Sequence, residues 1–140
     1  MRQISYWEFF QNYYTPRLME MDLTLKTIDA PISISEAARV LAMSPESVEE
    51  IMNKEGIREI DQEGFLHIAM CGTSSLCRLL QRECMCGSPE LYSPSHIAYI
   101  YGLQDGHVAS VCRSCGYNKV PAQAIPELLS KIYVYIVKIL

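Results

Sequence analysis

The chain is expected to be mainly α, with two tandem helix-turn-helix units. The first carries a β-hairpin wing, and N- and C-terminal helices flank the pair. Three observations lead to that expectation. Hydrophobic residues make up 49% of the 140 residues and charged ones 20%, enough apolar mass to offset the entropy of a folded chain. Residues 33–60 and 93–120 match without a gap at an offset of 60. Within each copy, apolar residues recur at helical spacing between a serine start and a closing glycine. The expected segments are 1–29 (aromatic-rich N-terminal helices), 30–70 (first, winged unit), 71–90 (connecting helix and cysteine-containing loop) and 91–140 (second unit with an apolar C-terminal helix).

Residues 4–14 hold Tyr6, Trp7, Phe9, Phe10, Tyr13 and Tyr14, too many aromatics for one helix face. Thr15-Pro16 then starts a helix in which Leu18, Met21, Leu25 and Ile28 keep helical spacing. Ser33 and Glu36 form the S-x-x-E pattern of a capping box, followed by an apolar face of Ala37, Ala38, Val40 and Leu41. Ser44-Pro45 restarts a helix, with serine as N-cap and proline at the first helical position. Val48, Ile51 and Met52 turn inwards and Gly56 closes the helix. The apolar-rich segments 57–60 and 65–68 flank Asp61-Gln62-Glu63-Gly64, which reads as a hairpin and hence a wing. Thr73 can cap a helix carrying Leu76, Leu79 and Leu80.

The second copy begins with Ser93-Pro94, has Gly102 near its turn and closes at Gly116. Identities include Ser33 with Ser93, Ser35 with Ser95, Ala38 with Ala98, Val48 with Val108 and Gly56 with Gly116. Apolar matches include Ala37 with Ile97, Val40 with Ile100, Ile51 with Val111 and Ile60 with Val120. Pro121 and Pro126 argue against a paired hairpin there, so a turn and a new helix near Pro126 are expected. In the run PELLSKIYVYIVKIL, Glu127, Lys131 and Lys138 fall on one narrow stripe of a helix. A strand is the alternative, because Ile, Val and Tyr favour strands. So much apolar surface has to be covered, by the aromatic N-terminal segment or by a second copy in a homodimer through the C-terminal helix.

The stretch ISEAARVLAMSPESVEEIMNKEGI resembles the helix-turn-helix of MerR-type and excisionase-type DNA-binding proteins. Shared features are the S-x-x-E-A-A start, an apolar residue before a Ser-Pro turn, a valine in the second helix and a closing glycine. The resemblance covers residues 33–57 directly and 93–117 through the repeat. It implies base or phosphate contacts on residues 44–50, yet positions often basic in that family hold Glu49 and Glu50, with Glu46 beside them. Residues 30–70 carry Arg39, Lys54 and Arg58 against eight acidic residues, a net charge of -5 that repels phosphates. Glu46, Glu49 and Glu50 are therefore candidates for a protein-binding face, or an ordinary solvated helix surface. Residues 91–140 carry Arg113, Lys119, Lys131 and Lys138 against Asp105 and Glu127, a net of +2. If Val108 and Val111 point inwards, His107, Ser110, Arg113 and Ser114 point out. With Lys119 they are the candidate DNA contacts. A structural repeat without nucleic-acid contact is the alternative.

The formal net charge of -4 excludes a wholly basic nucleic-acid binder. No apolar run reaches bilayer-spanning length, and the N-terminus lacks a signal-peptide apolar region, so a cytoplasmic protein without membrane contact is expected. Six cysteines are then reduced thiols or metal ligands. Cys84 and Cys86 form a C-x-C pair, and Cys112 and Cys115 a C-x2-C pair, which together could hold a tetrahedral zinc ion. The competing reading makes Cys112 a core residue at the repeat position of Met52, whereas Cys115 replaces the surface Glu55. Cys71 and Cys77 read as packing residues. His67, His96 and His107 stand in no recognisable nucleophile or acid–base arrangement, and no phosphate-binding glycine loop is present, so no catalytic residue is expected. The expected class is a non-enzymatic regulatory protein, transcription-related with weak DNA contact through the second unit. The alternative is an adaptor whose partner is a regulatory protein.

Overall fold

In the computed structural model the described residues run from Arg2 to Ile136, the last by its backbone alone. Strand β1 (Arg2–Ser5) leads into α1 (Tyr6–Thr27), α2 (Ile34–Leu41), α3 (Pro45–Glu55), α4 (Gln62–Cys71) and α5 (Ser75–Cys86). Strand β2 (Leu91–Tyr92), α6 (Pro94–Tyr101), α7 (Asp105–Ser114) and β3 (Val120–Pro121) follow. A single 3-10 turn (Ala122–Ala124), α8 (Ile125–Ser130) and β4 (Tyr133–Ile136) complete the order. The fold is mainly α. The chain divides into two compact units: Thr15–Gln81, and the residues up to Tyr14 together with those from Arg82 on. Both divisions fall inside helices, α1 and α5.

In the unit Thr15–Gln81, Ser33 Oγ accepts the Glu36 amide at 3.1 Å and Ser44 Oγ accepts that of Ser47 at 3.1 Å, as N-caps should. The capping box is only half made. Glu36 turns its carboxylate to Arg39, at 2.6 Å, instead of back to the cap. Ala37, Ala38, Val40, Leu41 and Val48 are buried on the facing sides of α2 and α3. The other unit repeats this at offset 60. Ser93 Oγ caps α6 through the His96 amide at 3.1 Å, and Ile97, Ala98, Ile100 and Val108 are buried. The turn bonds repeat too: Met43 N to Ala38 O and Leu103 N to Ala98 O are both 2.9 Å.

The repeat runs further than the sequence match. Ile32 bridges Ile60, and 60 residues on Tyr92 pairs with Val120 between β2 and β3. The next helix also corresponds. Phe65, Ile68 and Ala69 of α4 are buried, as are Ile125, Leu128 and Leu129 of α8 at the same offset.

Several expectations are corrected. No hairpin wing follows α3, because residues 62–71 are helical and Ile60 makes one bridge only. Asp61 acts as an N-cap, not a turn residue: its Oδ1 accepts the Gly64 amide at 2.8 Å. The N-terminal segment is one helix running through Pro16, which removes a single hydrogen bond, while Tyr6 and Phe10 anchor the first turns by burial. Ser74, not Thr73, caps α5, through the Cys77 amide at 3.1 Å. Cys84 and Cys86 lie on α5 and not in a loop. The C-terminal run is helical only to Ser130. Residues 133–136 form β4, where the Tyr-Val-Tyr-Ile strand preference overrides the helical stripe. That strand pairs antiparallel with β1, from Arg2 with Ile136 to Ser5 with Tyr133, so among the described residues the run packs on the N-terminal segment as a strand and not as a helix. Lys138 of the expected stripe, like Ile139 in the same apolar run, lies outside the described residues. Among the described residues no helix is long and apolar enough to cross a membrane.

The two turns differ at one position. Ala42 has φ +56° where Gly102 has φ +67°. A Cβ in this left-handed region costs ~1–2 kcal/mol, and the extra unfolded-state freedom of glycine returns ~0.4–1 kcal/mol of that. Ala42→Gly is therefore expected to stabilise the unit by about 1 kcal/mol in urea unfolding. A loss of stability would mean that the Ala42 methyl contributes packing the backbone strain conceals.

Candidate functional site

The helix-turn-helix places its second helix on the surface in both copies. On α3, Glu46, Glu49 and Glu50 are exposed, and among the described residues none of them pairs with a cation. On α7, His107, Ser110, Arg113 and Ser114 are exposed, because Val108 and Cys112 occupy the buried side. Lys119 is exposed in the segment between α7 and β3. Neither Arg113 nor Lys119 joins an ion pair among the described residues. The candidate DNA residues thus share one helix and the loop that leaves it.

The four thiols expected to hold zinc are not brought together. Cys84 and Cys86 stand two apart on a helix, roughly 200° around its axis, so they point away from each other. Cys112 is 1% exposed and is a core residue, at the repeat position where the other copy has the half-buried Met52. Cys115 is half-buried, with its Sγ 3.8 Å from Lys131 Nζ. All six cysteines are free, and Cys71 is exposed, not a packing residue.

A different group does converge. Ligand atoms of Glu55, His67 and Cys71 lie within 4.8 Å of one another. His67 and Cys71 are four residues apart on α4, hence on one face. Glu55 is the last residue of α3, and its Oε1 lies 2.9 Å from His67 Nε2. Partial desolvation by its neighbours pushes the Cys71 thiol up from its ordinary value, and Glu55 adds to this against the opposing effect of Lys54. A groove of about 260 Å³ beside Glu55 and His67 is also lined by Glu59, Asp61 and Glu63. The H-x3-C spacing was present in the sequence, but it carries meaning only once residues 62–71 are helical. No protein-family model, curated protein or solved structure matches the chain.

Proposed function

We propose that this is a non-enzymatic regulatory protein whose second helix-turn-helix contacts DNA through α7. One observation carries the reading: the same backbone unit is presented twice, and its solvent face changes charge between the copies. Glu46, Glu49 and Glu50 of α3 are replaced at offset 60 by Gly106, Ala109 and Ser110, while Asn53 becomes Arg113 and Glu59 becomes Lys119. Overall α3 carries Glu46, Glu49, Glu50 and Glu55 against Lys54, a net of -3, and α7 carries Asp105 against Arg113, a net of zero. A helix with a single carboxylate at its start, Asp105, and with small polar residues and one arginine along it, suits approach to a groove lined by phosphates better than α3 does. The likeness of residues 33–57 to MerR-type and excisionase-type helix-turn-helices supports the same class. The acidic α3 face favours a second role, docking of a regulatory protein with a basic patch.

Few cations predict weak binding. Each neutralised phosphate gives a salt slope of roughly -0.9, so about two to four contacts per chain produce a shallow dependence. In a titration of labelled duplex at low salt, Arg113→Ala is expected to weaken binding and reduce that slope by about 1. Glu49→Lys with Glu50→Lys is expected to strengthen non-specific binding. A wild-type chain that leaves the duplex free even at low salt overturns the DNA reading in favour of the adaptor.

A further inference from the structure

We propose that Glu55, His67 and Cys71 form a binding site for a borderline divalent transition ion, zinc(II), with the fourth position left to water. The inference does not depend on DNA contact. It rests on geometry and donor chemistry. A tetrahedral ion with ligand bonds of about 2.0–2.3 Å holds its ligand atoms roughly 3.3–3.8 Å apart. The three donor atoms already lie within 4.8 Å of one another, so small side-chain rotations close the set. Two of the three are fixed by one helix: His67 and Cys71, four residues apart on α4, present an imidazole and a thiol side by side. The third comes from α3, whose C-terminal end carries partial negative charge that also favours a cation.

The donor set selects the ion. One thiolate and one imidazole disfavour magnesium and calcium, which take oxygen ligands, and one carboxylate is compatible with zinc. Three protein ligands leave a position for water, unlike the closed four-ligand sites that serve folding alone. Glu59, Asp61 and Glu63 line the adjoining groove and add negative potential along the approach. An ion held here would tie the end of α3, the second helix of the first helix-turn-helix, to α4.

Cobalt(II) is the direct probe, because a bound thiolate gives a charge-transfer absorption that free cobalt lacks. The full chain, titrated with cobalt(II), is expected to develop that band at about one ion per chain, and zinc(II) should abolish it by competition. Cys71→Ser is expected to remove the band. His67→Gln is expected to weaken binding by more than the ~10–100-fold that loss of an outer hydrogen-bond partner costs. A triple variant, Cys84→Ser with Cys86→Ser and Cys115→Ser, should keep the band. A second measurement needs no variant: zinc(II) should slow alkylation of Cys71 in the wild-type chain at least tenfold, with Cys84 unaffected, as mapped by mass spectrometry. The proposal is overturned if no band forms, if the band survives Cys71→Ser, if the triple variant loses it, or if zinc leaves Cys71 alkylation unchanged.

Discussion

A chain ending at Pro126 is expected to lose the cooperative unfolding transition of the unit built from α6, α7 and α8. The deletion removes Leu128, Leu129 and Ile132, which are 1%, 0% and 0% exposed. Truncating one such side chain to alanine costs ~2–5 kcal/mol, so three together reach ~6–15 kcal/mol. That is the size of a whole domain's stability, about 5–15 kcal/mol. The deletion also takes β4, leaving the backbone of β1 unpaired and the Tyr6 amide without its 2.6 Å bond to the Ile132 carbonyl. Unpaired buried backbone groups add their own penalty, and an open strand edge invites association between chains. Calorimetry should show the transition gone, and light scattering should show aggregates. A soluble truncated chain with an unchanged melting temperature would mean that α8 and β4 are dispensable ornaments of the unit.

The repeat is legible in the sequence because its punctuation is chemical: Ser33 and Ser93 as caps, buried Val48 and Val108 at one position, and Gly56 and Gly116 at the close. Its third helix was not legible. Phe65, Ile68 and Ala69 correspond to Ile125, Leu128 and Leu129, residues of quite different volume, and the caps differ: Asp61 caps α4 with its side chain, whereas α8 starts at Ala124 without a side-chain cap. Asp-Gln-Glu-Gly serves equally as a turn and as a helix start, since aspartate accepts a backbone N–H in both. The C-terminal run posed the reverse problem. Its polar residues keep a helical period, but Tyr133 to Ile136 are strand formers, and β1 offers them an edge. The expected zinc thiols failed for a related reason: C-x-C converges in a loop and diverges on a helix. A hairpin over 57–68 also conceals the Glu55–His67–Cys71 group, because it ends the helix that holds His67 and Cys71 on one face. On a strand, residues four apart are roughly 13 Å distant, and on a helix about 6 Å along the axis.

Phe65→Ala is expected to destabilise the unit Thr15–Gln81 by ~3–5 kcal/mol, and Leu66→Ala by under about 1 kcal/mol. The two residues are neighbours, but Phe65 is 2% exposed and Leu66 is 46% exposed. Phe65→Ala leaves a large cavity lined by groups that relax only in part, so the loss exceeds the transfer free energy of the ring. Ile68→Ala should cost ~2–5 kcal/mol, since Ile68 lies one helical turn on and is also buried. The pattern across three positions discriminates between structures as well as magnitudes. On a strand, side chains alternate, so Leu66 and Ile68 would share a face and Phe65 would oppose them. On α4, Phe65 and Ile68 share the buried face, while Leu66 and His67 are exposed. Urea unfolding of the three variants separates the cases. Large losses at Leu66 and Ile68 with little at Phe65 would restore the wing. They would also place His67 and Cys71 too far apart along the chain to share an ion.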